Sequence, residues 1–98
     1  MKRDDEVIEI LSNTNNSKYQ LLKACEELSE LTTALLQYVN KKGRKTTDQD
    51  VIDEIGDVKI RLKILENVFG KSKVKERYQK KLKKFSGYID KGLYIGGI

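Results

Sequence analysis

Residues 17–40, SKYQLLKACEELSELTTALLQYVN, form a stretch without glycine or proline in which apolar residues return every three or four positions. This spacing predicts one long amphipathic helix. We expect the helix to begin at Ser17, with Gln20 as its capping-box partner, and to end before Gly43. The stripe that we expect to face the core, with Cys25 as a buried small apolar residue, consists of Leu21, Cys25, Leu28, Thr32, Leu35 and Val39.

A second long helix is predicted over residues 48–69, because Thr46 to Asp50 is a dense helix-start signal and Gly70 a stop signal. Its predicted core stripe consists of Val51, Ile55, Val58, Leu62, Leu65 and Phe69. The short connection between the two long helices makes them antiparallel neighbours. Shorter helices are predicted over residues 4–11, interrupted by the polar run Ser12 to Asn16, and over residues 72–86.

The chain contains no proline, and its helical periodicity continues through most of its length. We therefore predict an all-α fold, a four-helix-type bundle with two long antiparallel helices. At 98 residues we expect a single domain over residues 1–98, with its core in residues 17–91. A core of this size is small, so we expect oligomerisation to complete it, as a homodimer or a homotetramer. Residues 92–98 are expected to be frayed or to pack against another subunit.

Four carboxylates stand out, because Glu27 with Glu30 and Glu54 with Asp57 form two i,i+3 pairs on the two long helices. Residues three apart share one helix face, so antiparallel packing can bring both pairs together. Four adjacent carboxylates repel one another, and a divalent cation is the simplest compensation. Because the chain has no His and a single Cys, oxygen ligands predominate, which favours Mg²⁺, Mn²⁺ or Ca²⁺ over zinc or copper.

The alternative interpretation is that these acids are solvated helix surface, with Asp57 paired to Arg61 at i,i+4. Glu54 argues against it, because at ~100° per residue it falls about 40° from the line through Val58, within the apolar sector of its helix.

The charge of the chain is uneven. Residues 1–70 carry 11 basic and 13 acidic side chains, whereas residues 71–98 carry 9 basic and 2 acidic ones. A basic block of this kind can serve nucleic acid, phosphorylated small molecules or solubility. No apolar run approaches the ~20 residues of a membrane span and no signal-type segment follows the N-terminus, so we expect a cytoplasmic protein without a membrane partner.

The order of the motifs, Glu26-Glu27-Leu28-Ser29-Glu30 and then Glu54-Ile55-Gly56-Asp57, resembles the EExxE and ExxD signature of the MazG-like all-α nucleoside triphosphate pyrophosphohydrolases. The resemblance covers about residues 17–91. The chain is similar to the small members of this family that phages and prophages encode. Its specificity lies in the two motifs occurring in order.

The resemblance implies Mg²⁺-dependent hydrolysis of a nucleoside triphosphate between the α and β phosphates, which yields the monophosphate and pyrophosphate. Mn²⁺ is a possible substitute for Mg²⁺. The implied ligands are Glu27, Glu30, Glu54 and Asp57, whereas Glu26 lies about 100° from Glu27 on the helix and is not predicted as a ligand. Glu27 and Glu30 are both candidates for the base that activates the water.

Further substrate contacts are predicted on two helices. The i,i+4,i+7 stripe Arg77, Lys81 and Lys84 can contact the pyrophosphate, or can be a solvated basic face. The wider family often carries Asn or Arg near residues 85–88, which are Phe-Ser-Gly-Tyr here. Tyr38 can stack on a nucleobase, or can be an ordinary packing residue.

Two other functions compete with this hypothesis. One is a helical nucleic-acid-binding or regulatory protein that uses residues 71–91, although acids on such a surface oppose binding to nucleic acid. The other is a nucleotide-binding relative without turnover, which the presence of acids at all four matched ligand positions disfavours.

Overall fold

The computed structural model describes residues 1–40 and 46–93, which contain four α-helices and no strand. The helices are α1 (Asp4–Thr14), α2 (Ser17–Asn40), α3 (Asp48–Phe69) and α4 (Lys71–Asp90). The predicted all-α fold class is confirmed. The chain falls into two compact units, Met1–Val68 with the first three helices and Phe69–Ile98 with α4. The expectation of a single domain stays a prediction.

The long helices α2 and α3 have the bounds that the sequence predicts, but the start of α2 is fixed differently. Asn16 is the capping residue, because its Oδ1 accepts a hydrogen bond of 2.9 Å from the Tyr19 N–H. The capping-box role predicted for Gln20 is wrong. Thr47 caps α3 in a reciprocal pair with Asp50, whose N–H donates to Thr47 Oγ1 (3.3 Å) while the Thr47 N–H donates to Asp50 Oδ2 (2.8 Å). The role predicted for Gly43 lies outside the described residues.

Helix α1 continues three residues beyond its predicted end. The hydroxyls of Ser12 and Thr14 donate to the carbonyls of Ile8 (2.7 Å) and Ile10 (2.6 Å), four residues earlier. Because these polar side chains hydrogen-bond to carbonyls of their own helix, the polar run Ser12 to Asn16 does not end α1 at residue 12. The predicted interruption there is wrong. Side-chain amides join α1 to the two long helices: Gln20 Nε2 donates to the Leu11 carbonyl (2.8 Å) and Asn67 Nδ2 donates to Ser12 Oγ (2.9 Å).

Helices α2 and α3 run antiparallel, since contacts between them pair rising numbers on α2 with falling numbers on α3. Arg61 Nη1 donates to Gln20 Oε1 (3.4 Å), and Thr46 Oγ1, just before α3, donates to Gln37 Oε1 (3.3 Å) near the end of α2. The buried or half-buried side chains of α2 include Gln20, Ala24, Glu27, Leu31 and Ala34, and those of α3 include Val51, Glu54, Val58, Arg61 and Leu65.

The stripe predicted to be the core of α2 is therefore wrong. Leu28 is 42% exposed, Leu35 44% and Val39 75%, and Cys25 is exposed as well. On α3, Val58 is buried as predicted, whereas Ile55 and Leu62 are both 44% exposed. The most apolar side of α2 is not the side that faces α3, because the close approach of the two helices uses small residues: Ala24 is 2% exposed and Ala34 8%.

In the second unit, α4 extends four residues past its predicted end at Ser86. It ends in a Schellman turn, in which Gly92 at φ 69° donates to the Ile89 carbonyl (3.0 Å) and the Leu93 N–H donates to the Tyr88 carbonyl (3.0 Å). Gly87 lies inside this helix, where a glycine costs only about 1 kcal/mol relative to alanine. Of the predicted tail, residues 94–98 lie outside the described residues.

Candidate metal site

Three of the four predicted ligands lie together where α2 and α3 meet. One carboxylate oxygen each from Glu27, Glu30 and Glu54 lies within 4.8 Å of the other two. Glu27 and Glu54 are half-buried, whereas Glu30 is exposed. The cluster follows from the antiparallel packing, since α2 supplies the i,i+3 pair and α3 supplies the acid that the sequence placed within its apolar sector.

Two oxygens of this cluster are buried without a hydrogen-bond partner, namely Glu27 Oε2 and Glu54 Oε2. A buried carboxylate oxygen that accepts no hydrogen bond raises the free energy of the folded protein. A cation bound by these carboxylates would give such an oxygen a partner and lower that cost. Three hard oxygen donors within a few ångströms of one another fit Mg²⁺ or Mn²⁺ better than a softer metal.

The pKa of Glu27 is raised above the usual glutamate value, first because burial disfavours its charged form and second because of repulsion from Glu30. A hydrogen bond with Glu30 and the charge of Asp57 act in the same direction, and only Arg61 opposes them. Without a bound cation, Glu27 therefore holds a proton more tightly than an exposed glutamate does.

Asp57, the fourth predicted ligand, lies outside the group of three mutually close carboxylates. Its charge still acts on Glu27, so it lies in the surroundings of the cluster. The alternative role for Asp57, an ion pair with Arg61, does not occur between these two described residues: Arg61 donates instead to Gln20. The assignment of all four acids as metal ligands stays a prediction.

A pocket of about 470 Å³ adjoins the cluster and shares Glu30 and Glu54 with it. Its remaining lining residues come from α2 and from the beginning of α3 with its preceding turn: Ser29, Thr33, Ala34, Gln37, Thr46, Asp50 and Asp53. Of the two aspartates, Asp50 is engaged in capping α3, and the hydrogen bonds from Thr47 lower its pKa. Among residues 1–40 and 46–93, no Lys or Arg lines this pocket, so the described lining residues offer no cationic partner to a negatively charged group.

Sequence reasoning missed the uncharged polar wall of this pocket. Ser29, Thr33 and Gln37 recur every four residues along α2, on the side of the helix that carries Glu30. That recurrence was visible in the sequence. Polar residues on an exposed helix side are ordinary, so the recurrence does not by itself indicate a pocket.

Tyr38, the predicted base-stacking residue, does not line the pocket. Its pKa is raised, chiefly by a side-chain hydrogen bond to Asp48, and the charge of Asp48 adds to the shift. The ring therefore joins the end of α2 to the beginning of α3. This contact favours the alternative reading of Tyr38 as a packing residue over a role in substrate recognition.

The predicted phosphate contacts Arg77, Lys81 and Lys84 all lie on α4, in the second unit, and all three are exposed. The Lys81 ammonium lies 5.3 Å from the centre of the Phe85 ring, and that of Lys84 lies 5.8 Å from the centre of the Tyr88 ring. Both lysines thus make cation–π contacts along their own helix. Their role towards a substrate stays a prediction.

Across residues 1–40 and 46–93, no helix has the length and apolar character that crossing a bilayer requires. Comparisons of the chain with known protein families, with curated protein sequences and with solved structures find no significant match. The resemblance to the MazG-like pyrophosphohydrolases therefore rests on the residues of the two motifs alone.

Proposed function

We propose that this protein hydrolyses a nucleoside or deoxynucleoside triphosphate to the monophosphate and pyrophosphate with the help of Mg²⁺, as a cytoplasmic MazG-like enzyme. The observation that carries this proposal is the cluster of Glu27, Glu30 and Glu54, with two buried oxygens that accept no hydrogen bond. Such an arrangement costs free energy in the absence of a cation. A cation bound there can in turn hold an anionic substrate next to acidic residues.

Within this mechanism the chain holds the metal through Glu27, Glu30 and Glu54, with Asp57 as the proposed fourth ligand. Bound Mg²⁺ supplies charge compensation for the phosphates and acidifies a water molecule. Glu30 is exposed and belongs to both the cluster and the pocket, so it is placed to accept the proton from an attacking water. Glu27 is more enclosed, and we assign it to metal binding first.

The pocket beside the cluster fits the uncharged part of the substrate. Ser29, Thr33 and Gln37 offer hydroxyl and amide groups to a sugar or a base, and nearly buried Ala34 leaves the space open. Arg77, Lys81 and Lys84 remain our proposed contacts for the departing pyrophosphate. A homodimer or a homotetramer is part of the same proposal.

The direct test is pyrophosphate release from a panel of ribo- and deoxyribonucleoside triphosphates with Mg²⁺. We expect release with at least one nucleotide and its loss on chelation. Glu54→Gln should lower the rate by more than about 100-fold, since loss of a residue that only orients a metal ligand already costs roughly 10–100-fold. Circular dichroism should show that the variant keeps its helices.

The matched control is Glu26→Gln, which changes the neighbouring acid on α2. Glu26 lies outside the cluster and pairs with Lys23 at 3.3 Å, so this variant should keep its activity. The proposal fails if no nucleotide releases pyrophosphate at protein concentrations in large excess. It also fails if the Glu26 variant loses as much activity as the Glu54 variant.

A nucleic-acid-binding or regulatory role is the second candidate, and the charge of α4 is the observation that favours it. Residues 71–98 carry 9 basic side chains against 2 acidic ones, and every Lys and Arg of α4 is exposed. Salt-sensitive binding to duplex DNA without nucleotide hydrolysis would favour this role over the enzyme.

A further inference from the structure

Arg61 is a half-buried cation at the contact between α2 and α3, and most of its hydrogen-bond donors are unused. Of the five N–H groups of its guanidinium, one on Nη1 donates to Gln20 Oε1, over a long 3.4 Å. Among residues 1–40 and 46–93, no carboxylate forms an ion pair with Arg61. The half-buried Lys23, by contrast, is paired with Glu26 at 3.3 Å. The Arg61 guanidinium is therefore available to an anionic group.

The position of Arg61 on α3 relates it directly to the candidate metal site. Arg61 follows Glu54 by seven residues, so at ~100° per residue it lies about 20° from Glu54 around the helix and roughly 10 Å further along. Side chains in a helix lean towards its N-terminus, which for Arg61 is the direction of Glu54. The charge of Arg61 also reaches Glu27, whose pKa it lowers against the effects that raise it. Arg61 thus lies beside the carboxylates without being one of their ion-pair partners.

Arg61 and the pocket lie on opposite sides of the cluster along the length of the two helices. The pocket extends along α2 from Glu30 to Gln37, seven residues towards the end of that helix. Arg61 contacts Gln20, which lies seven residues before Glu27, towards the beginning of α2. Each interval corresponds to roughly 10 Å along the helix. The carboxylate cluster therefore lies between the pocket and the Arg61 guanidinium.

A nucleoside triphosphate has its parts in a matching order: the nucleoside, the α phosphate and then the β and γ phosphates. With the nucleoside in the pocket and the bound cation at the α–β linkage, the β and γ phosphates extend away from the pocket. That direction leads to Arg61. The described lining of the pocket contains no Lys or Arg, so the phosphates find no cationic side chain in the other direction. A guanidinium can donate two parallel hydrogen bonds to phosphate oxygens, which suits this end of the substrate.

We propose that Arg61 binds the terminal phosphates of the substrate, the part that leaves as pyrophosphate. This inference rests on the proposed function, because it takes the order of the substrate from the cation at the cluster and the nucleoside in the pocket. It adds a contact from the first unit to those proposed on α4. The Gln20 side chain, 2% exposed and held by the Leu11 carbonyl at 2.8 Å, keeps the guanidinium oriented before substrate binds.

The test is calorimetric binding of pyrophosphate with Mg²⁺ to the full chain, for the wild type and for Arg61→Gln, and it needs no turnover. We expect the variant to bind pyrophosphate at least about 10-fold more weakly, because charge-assisted hydrogen bonds are lost. Mn²⁺ alone should bind the variant at least as tightly as the wild type, because the substitution removes positive charge near the cluster. If Arg61 only held the two helices together, its loss would weaken both ligands.

The matched control is Lys59→Gln, which makes the same change in net charge two residues away on α3. Lys59 is exposed and lines a separate pocket against α1, so this variant should bind pyrophosphate as the wild type does. If Arg61→Gln does not fold, Arg61→Lys decides the question. Lysine keeps the charge and a donor for Gln20 but lacks the planar fork, so we expect pyrophosphate affinity to fall by at least about 3-fold.

Several results would overturn the role of Arg61. They are a wild type that does not bind pyrophosphate at millimolar concentration, Arg61 variants with wild-type affinity, equal losses of Mn²⁺ and pyrophosphate, and a Lys59→Gln variant as weak as Arg61→Gln. Failure of the proposed activity looks different. Pyrophosphate binding that depends on Arg61, without release from any nucleotide, would leave the Arg61 site standing, whereas release by a protein whose Arg61 variants keep wild-type affinity would refute the Arg61 site alone.

Discussion

At the scale of single residues, Glu27 shows how far the sequence could predict the candidate site. The spacing of the acids identified Glu27, Glu30 and Glu54 as a set, because helix periodicity depends on sequence separation alone. The same i,i+3 spacing predicted Asp57 as a metal ligand equally well, yet Asp57 lies outside the group of three close carboxylates. Which carboxylate oxygens become enclosed depends on the distance and rotation between two helices, and these are set by packing over their whole length.

The raised pKa of Glu27 predicts a pH dependence of stability in metal-free protein. The folded protein holds the Glu27 proton more tightly than the unfolded chain does. Protonated Glu27 therefore contributes its full stabilisation below the pKa that it has in the unfolded chain. This stabilisation is lost as pH rises through the pKa that Glu27 has in the folded protein. The difference in unfolding free energy between Glu27→Gln and wild type should therefore grow as pH rises from about 4 towards 7. Urea unfolding in the presence of a chelator measures it.

Other acids titrate over the same range, so the difference between variant and wild type is the quantity to follow. Glu26→Gln provides the baseline, because it changes a neighbouring exposed glutamate. A Glu27→Gln effect that stays constant with pH would contradict the prediction. Saturating Mg²⁺ should reverse the advantage of the variant at pH 7, because the wild type then gains binding free energy.

At the scale of secondary structure, the sequence predicted the bounds of α2 and α3 but not the side on which they meet. Capping residues and glycine stops are local signals, so they can be recognised without the fold. The contact side was misassigned because hydrophobicity marks the most apolar stripe, whereas close packing of these two helices selects small side chains such as Ala24 and Ala34. An apolar stripe alone does not reveal which neighbour covers it.

Alanine substitution at two glycines should change the free energy of unfolding in opposite directions. Gly56 lies inside α3, and an added Cβ there meets no atom within 4 Å, so Gly56→Ala should raise the free energy of unfolding by about 0.5–1 kcal/mol. Gly70 lies between α3 and α4 and has φ 113°, a conformation that alanine adopts only under strain. Gly70→Ala should therefore lower the free energy of unfolding. Thermal and urea unfolding of both variants test the pair. A destabilised Gly56→Ala would show that the backbone there needs more room than the structure indicates.

At the scale of the whole molecule, the first unit carries an acidic pocket, while basic side chains concentrate in the second unit. The charge asymmetry follows from the sequence directly, whereas the expected oligomer stays a prediction. It could not show that the stripe expected in the core lies at the surface, because amphipathic periodicity is the same for a helix buried in its own chain and for one buried against another.

The proposed homodimer predicts that thermal stability depends on protein concentration. Since unfolding of a dimer also dissociates it, a tenfold increase in concentration should raise Tm by roughly 3–5 °C for a pair of this size. Calorimetry over a hundredfold range of concentration measures this shift. A wild-type Tm that stays constant would contradict an equilibrium between dimer and unfolded chains in this range.

The contact between Gln20 and Arg61 has a consequence for the position of the carboxylates. Glu27 follows Gln20 by seven residues and Glu54 precedes Arg61 by seven, so in an antiparallel pair the two glutamates reach the same height whenever the other two residues do. Gln20 also donates to the Leu11 carbonyl of α1, so its side chain is held from two sides. The alignment of the acidic cluster is thus supported one heptad away by the Gln20 amide and the Arg61 guanidinium, neither of which is a ligand of the proposed cation.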